Sequence, residues 1–296
     1  MSNKLRKMTL EKKHNLTGWA FLAPATFLIA VFSFWPMIKA LVLSFQTGKG
    51  RNMQMAGFTN YIRMFQDDVF IQSIKNTFFY FIIQVPIMLV VAMVLACILN
   101  KKDLRFKGFF RTMIFLPCTT SLVAYSIFRS LFANDGLVNY VLVNLGILDK
   151  PYNFLTQPFA AKMVILLGLL WRWTGYNMVF FLSGLQNIEY SVYEAAKIDG
   201  ASAIQTFFKI TVPLLKPTIL LTAIMSTNGT LQLFDESVNL TDGGPANASI
   251  SMSHYIYNLC FKYVPNFGYA AAMSFFILLL VAVLAFIQMR VGDKRD

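Results

Sequence analysis

The sequence predicts an all-α membrane protein with six transmembrane helices and a polar helix-turn-helix elbow between the fourth and the fifth. Three observations carry this. Of the 296 residues, 56% are hydrophobic, 29 are Phe and only 14% are charged, a composition suited to lipid rather than to an average soluble domain. Six apolar runs reach spanning length, at 19–45, 76–99, 109–132, 159–185, 214–236 and 268–289. The segment 186–216 between the fourth and fifth runs is polar-punctuated and carries its own helix signals. Residues 1–18 are expected to form a tail, and 19–296 a single transmembrane domain.

The tail is basic, with Lys4, Arg6, Lys7, Lys12 and Lys13 ahead of the first run. A cleaved signal peptide is the competing reading, but the run from Trp19 to Phe45 is far longer than a signal-peptide core. Each of the six runs contains or adjoins Pro, Gly or an ionisable residue, which suits a bundle that lines a path. The loops 46–75, 133–158 and 237–267 are rich in turn formers. Within the second of them, Leu137, Val141, Leu142 and Leu145 suggest an amphipathic segment lying at the membrane interface. Orientation follows from Lys and Arg. The N-terminus, the 100–111 connection, the elbow and the C-terminus together hold 16, whereas the alternate loops hold 6. The positive-inside rule therefore puts both termini and the elbow in the cytoplasm, with Lys102 and Ala203 inside and Asp149 and Gly243 outside.

Several chemistries fit poorly. The net charge of +12 comes without a basic stripe interleaved with aromatics, so nucleic acid is not an expected partner and membrane topology explains the charge. Cys97, Cys118 and Cys260 are widely spaced and imply neither a disulfide framework nor a metal motif. His14 lies before the first run and His254 is expected in a late loop, so a His-based active site is disfavoured. No GxxxxGK[ST] sequence occurs, so ATP binding through a P-loop would need a separate subunit.

In the elbow, Ser191 and Glu194 have capping-box spacing, and Ala195, Ala196 and Lys197 continue the helix so opened. Asp199-Gly200 supplies a turn. Ile204, Phe207 and Phe208, at i, i+3 and i+4, begin a second short helix, which Pro213 and Pro217 limit. The strings EAA (Glu194, Ala195, Ala196), DGA (Asp199, Gly200, Ala201) and ITVP (Ile210 to Pro213) resemble the EAA loop of permease subunits of ATP-binding-cassette importers. GWAFLAPA near the start, Asn76-Thr77, FFRTMIFLP ending at Pro117 and LTDGGP at Leu240 to Pro245 extend the resemblance over most of the chain, to the maltose, multiple-sugar and glycerol-phosphate branch. The resemblance implies a non-catalytic permease subunit of a bacterial cytoplasmic membrane that imports a sugar, most simply an oligosaccharide, by alternating access. It implies a second, dissimilar permease, two ATPase subunits that carry ATP and Mg, and an extracytoplasmic solute-binding protein. Glu194, Ala195, Ala196, Asp199, Gly200 and Ala201 would then couple to an ATPase, with Glu194 meeting a basic group. Local spacing equally allows Glu194 a capping role only. No cofactor is expected on this chain.

Where the substrate passes is read from helical faces. Arg172 and Tyr176 are i, i+4 neighbours in the fourth run, and Ser226, Thr230 and Leu233 follow i, i+4, i+7 in the fifth, beside the small Gly229. Tyr and hydroxyl groups suit a sugar. The same residues also suit helix packing, an interfacial anchor for Tyr176, and an acidic partner for Arg172. Import of glycerol phosphate or another small polar solute remains an alternative, as do a passive channel and a membrane-embedded enzyme. Dependence of uptake on an ATPase subunit separates the first two, and product formation identifies the last.

Overall fold

A computed structural model describes residues 10–49, 52–101 and 103–292. Lys4, Arg6, Lys7, Arg51, Lys102, Lys294 and Arg295, which enter the charge asymmetry, lie outside the described residues. The described residues are mostly helical, in the order α1 (Leu10–Ile29), a π-turn (Ala30–Phe34) and α2 (Trp35–Ser44), then α3 (Thr59–Met64) and α4 (Asp68–Asn100). There follow α5 (Lys107–Thr119), α6 (Ser121–Leu131), α7 (Leu137–Asn144), α8 (Pro158–Gln186), α9 (Tyr190–Ile198), α10 (Ala203–Thr206), α11 (Val212–Leu214) and α12 (Lys216–Leu231). Last come α13 (Met252–Tyr257) and α14 (Phe267–Gly292). One exception to the all-α expectation follows α2. There β1 (Gln46–Lys49) pairs antiparallel with β2 (Asn52–Met55), and the Asn60 amide fastens the hairpin by donating to Ser44 O and Gln46 O at 2.9 and 2.8 Å.

Among the described residues, four helices are long and apolar enough to cross a membrane, and six spans result only if two bent pairs each count as one. The predicted third span, 109–132, breaks by 92° between α5 and α6. The predicted fifth span, 214–236, is also corrected. Its helix runs only from Lys216 to Leu231, meets the elbow at a 71° bend, and then unwinds. At 1.5 Å per residue its 16 residues cover roughly 24 Å, short of the hydrocarbon core. Pro217 in its first turn cannot donate back into α11, and Gly229 weakens its last turn.

α4, α8 and α12 form the centre. Ala92, Ala96, Met178, Phe181, Leu182 and Leu215 make one apolar core, while Tyr80, Ile165, Leu169 and Leu240 make another nearer the opposite end. Close approach of α5 to α8 depends on Gly175, where a Cβ would lie 1.9 Å from the Ile114 carbonyl oxygen. From Leu16 onward α1 is largely apolar and is exposed along its length, so lipid or another subunit must cover it. In α7, Asn139 is buried and holds the backbone at Ala133 and Tyr152, while Leu137, Val141 and Leu145 face outward. The segment is thus amphipathic, as its apolar spacing predicted.

Polar clamps tie one end of the bundle together. Asp67 caps α4 through Val69 N–H and Phe70 N–H, and its other oxygen accepts from Tyr255 and Tyr269 hydroxyls at 2.7 and 2.8 Å. Partial burial opposes the charge, but these hydrogen bonds hold the Asp67 carboxyl below its ordinary range. Asn76 donates to Ile250 O, and Thr77 accepts from Met252 N–H, so the Asn76-Thr77 pair anchors the segment after LTDGGP. That loop does make a tight turn, with Asp242 at φ +48° and Ser249 N–H returning to Gly243 O. Asp242 binds Lys262 at 2.7 Å, which pulls its carboxyl down despite some burial.

His254 sits in α13 rather than in the expected loop, because Ser251 caps a helix there. It is fully buried, with Nδ1 3.0 Å from Ser237 Oγ and Nε2 3.6 Å from Asp242. Burial depresses its pKa to about 4, against some raising by Asp242. The unfolded chain therefore holds this proton more tightly. The stabilisation from neutral His254 is complete above about pH 6.5 and is lost as pH falls through about 4. Thermal melting of the purified protein should accordingly show stability falling by up to roughly 3 kcal/mol over that window, with a flatter profile for His254→Gln; identical profiles would show that His254 does not titrate on unfolding.

Candidate functional site

A cavity of about 420 Å³ opens between α4, α8 and α12. Its walls follow helical periodicity. Leu169, Arg172, Trp173, Tyr176 and Asn177 recur on one face of α8, while Met225, Ser226, Gly229 and Thr230 occupy one face of α12. Gln84 and Met88 come from α4, and residues 232–236 come from the break after α12 and the helical turn that resumes at Asp235. Arg172, Tyr176, Ser226, Gly229, Thr230 and Leu233 thus all line one space. The i+7 argument for Leu233 fails, since the helix ends at Leu231, yet the unwound chain still brings it to the wall. Nothing lies within 4 Å of a Cβ built on Gly229, whose missing side chain leaves the lumen open.

Most polar groups here are held by neighbours. Thr230 donates to Gln84 Oε1 at 2.7 Å, and Ser226 donates to Asn177 Oδ1 at 3.3 Å. Asn177 donates in turn to Trp173 O at 3.0 Å. The network joins the three helices across the cavity floor. Tyr176 packs edge-on between Trp173 and Phe180, with ring centroids 5.8 and 5.1 Å away, and is partly exposed.

Sequence reasoning missed the residues that fix Arg172. Glu236 is buried and its Oε1 lies 3.1 Å from Arg172 Nη1. The same oxygen accepts from the Tyr125 hydroxyl at 2.5 Å and from Trp173 Nε1 at 3.3 Å. Arg172 also contacts the Tyr125 hydroxyl and stacks over the Trp173 ring, 4.7 Å from its centroid. Asp235 approaches the guanidinium at 3.8 Å. The acidic pair at the end of an apolar run, opposite a lone Arg in another, was the available signal, because a charge at membrane depth needs a partner.

The elbow lies at the other ends of α8 and α12. Here α9 begins at Tyr190 with Glu189 at its N-cap and no side-chain cap, so the predicted Ser191–Glu194 capping box is absent. Ser191 instead donates to Glu189 at 3.3 Å. A capping box does occur at Ser202 and Gln205, opening α10. Between the helices, Gly200 at φ +75° allows a Schellman closure, with Ala201 N–H to Ala196 O at 2.9 Å and Gly200 N–H to Lys197 O at 3.2 Å. From Ala203 the helix runs through a π-turn (Phe207–Thr211) into α11, longer than the second helix expected. Ala196 is buried; Glu194, Ala195, Asp199 and Gly200 are exposed, and Ala201 is intermediate. Among the described residues Glu194 makes no hydrogen bond or ion pair. Ile198, Ile204 and Phe208 are 86%, 72% and 64% exposed, an apolar surface flanking that carboxylate.

Residues 67–295 match the family model described as binding-protein-dependent transport system inner membrane component. The lactose transport system permease protein LacF of Rhizobium radiobacter is 51% identical over 98% of both chains. The arabinooligosaccharides transport system permease protein AraP of Halalkalibacterium halodurans is 31% identical over 96% of this chain and 90% of its own. The fold also matches crystal structures of a bacterial ABC transporter involved in the import of the acidic polysaccharide alginate, one of them in complex with alginate pentasaccharide-bound periplasmic protein. Both give a TM-score of 0.83, at 23% and 24% identity, over 95% and 96% of this chain and 96% of theirs.

Removing one partner of a buried ion pair leaves an uncompensated charge and costs roughly 3–5 kcal/mol, whereas replacing both is far milder. Arg172→Met and Glu236→Gln should each lower the melting temperature of the purified protein, and the double substitution should recover part of the loss. A single Arg172→Met variant as stable as the parent would show that the pair does not organise the cavity.

Proposed function

Because this chain belongs to the family of binding-protein-dependent transport system inner membrane components, we propose that it is one of two dissimilar permease subunits of an ATP-driven saccharide importer. The chain forms a single transmembrane domain, whose first helix starts at Leu10 rather than after the predicted tail 1–18, and both termini are cytoplasmic. Two ATPase subunits supply ATP and Mg, an extracytoplasmic binding protein delivers the sugar, and the chain itself catalyses no chemistry. An oligosaccharide is the favoured substrate, given the saccharides named for the lactose and arabinooligosaccharide relatives.

One observation carries the mechanism. Two of the three helices that wall the cavity, α8 and α12, are the ones that enter and leave the elbow, at Gln186 and Lys216. Glu194 and the exposed Ile198, Ile204 and Phe208 offer an ATPase a charged and apolar grip. ATPase closure then displaces the elbow, rotates α8 against α12 about the bend at Leu215, and turns the cavity from the outer to the inner side. Tyr176 provides a flat aromatic surface for a pyranose ring. Ser226 and Thr230 exchange their present partners for sugar hydroxyls, beside Gly229 and Leu233.

Two outcomes test this reading. In the reconstituted complex, Glu194→Ala and Gly200→Val should uncouple ATP hydrolysis from uptake while the subunits still assemble, Gly200→Val more severely because a β-branched residue resists φ +75°. Tyr176→Ala and Thr230→Leu should instead change uptake kinetics while ATP hydrolysis persists; unchanged transport in all four would remove elbow and cavity from the mechanism. For orientation, a membrane-impermeant thiol reagent on intact cells should modify a cysteine placed at Gly243 and spare one at Ala203. The reverse pattern would invert the topology.

A further inference from the structure

Three ionisable side chains line the cavity, Arg172, Asp235 and Glu236, so with all three ionised the lining carries one net negative charge. Where that charge sits is decided by burial. The side chains of Arg172 and Glu236 are 10% and 4% exposed and 3.1 Å apart, and Glu236 Oε1 is further saturated by Tyr125 and Trp173. Asp235 is 45% exposed and 3.8 Å from Arg172, beyond a hydrogen bond. Its backbone carbonyl accepts from the Asn239 amide at 2.8 Å, which holds the residue in place while its carboxylate meets the open side. The remaining polar groups around the lumen are neutral.

Resting on the saccharide reading of this cavity, we propose that Asp235 is its specificity-determining residue. It accepts hydrogen bonds from the hydroxyls of neutral saccharides and turns away saccharides that carry a carboxylate. A carboxylate is acceptor-only, so it pairs with the abundant O–H donors of a sugar and has nothing to offer another carboxylate. At a partly buried wall, where the effective dielectric is lower than that of bulk water, like charges a few ångströms apart repel more strongly than in solvent. An anionic sugar would also shed its hydration without gaining a cation, since Arg172 is engaged by Glu236 and Tyr125. Attraction for one class and repulsion of the other act through the same side chain.

The test uses the complete complex of both permeases and the ATPases in nanodiscs. Binding protein is omitted so that its own selectivity is not read. Lactose, maltose and cellobiose are titrated beside lactobionate, maltobionate and cellobionate, following tryptophan fluorescence, with calorimetry as a second readout. The parent complex should bind at least one neutral sugar about tenfold or more tighter than its acid. The isosteric D235N variant should weaken the neutral sugar by less than about fivefold and shrink the discrimination to about threefold or less, with its melting temperature preserved. Neutral binding with undiminished discrimination in a folded D235N complex overturns the assignment and leaves the saccharide cavity standing. Tight binding of the acids by the parent does the same. Failure of every neutral sugar to bind removes the saccharide reading and this proposal with it.

Discussion

The buried contact between Arg172 and Glu236 is the constraint on which the central architecture depends. Neither charge is tolerable alone among apolar helices, and each is placed by a different part of the chain. Arg172 projects from the middle of α8, while Glu236 lies beyond the end of α12, in a helical turn that resumes after a break at 232–234. Satisfying the pair at 3.1 Å, with Tyr125 from α6 and the Trp173 indole completing the donor set, pulls the unwound segment across the bundle. That crossing closes one end of the cavity and presents Leu233 and Asp235 to it.

The same two helices give the cavity a mechanical link to the opposite end of the molecule. α8 and α12 pack with α4 around an apolar core of Ala92, Ala96, Met178, Phe181 and Leu215, so a displacement at the elbow cannot be absorbed locally without opening voids. Leu215, in the bend between α11 and α12, is itself part of that core. At the elbow the geometry is stiff. The Schellman closure at Gly200 and the capping box of Ser202 and Gln205 fix the angle between its two short helices. At the other end, Asn76, Thr77 and Asp67 bind the LTDGGP segment, α13 and α14 to α4. The helical path itself breaks at Leu215 and between α5 and α6.

Hydropathy made the long spans α4, α8 and α14 legible, because lipid demands continuous apolar helix and little else produces that signal. The breaks were harder to read. Pro117 and Pro217 sit near the 92° and 71° bends, but Pro24 and Pro86 lie inside helices that continue, so Pro alone does not say where a span breaks. All six chosen residues reached the cavity wall, five on the helical faces of α8 and α12 and Leu233 only through the break that follows α12. Asp235 and Glu236 were missed because face arguments end where the helix ends. The Ser191–Glu194 spacing misled for the opposite reason: a local motif competes with the exact start of its helix, and here Tyr190 already belongs to α9, leaving Glu194 exposed.

The central claim is that saccharide occupies the space walled by α8, α12 and the segment held by Arg172 and Glu236. The most direct measurement is an electron-microscopy map of the assembled importer, trapped with its ATPases closed and a neutral oligosaccharide bound. The account predicts sugar density in contact with Tyr176, Ser226 and Thr230, stacked on the tyrosine ring, with the Arg172–Glu236 contact intact. Density confined to the partner permease, or a cavity refilled by a regular helix running through Glu236, would contradict it.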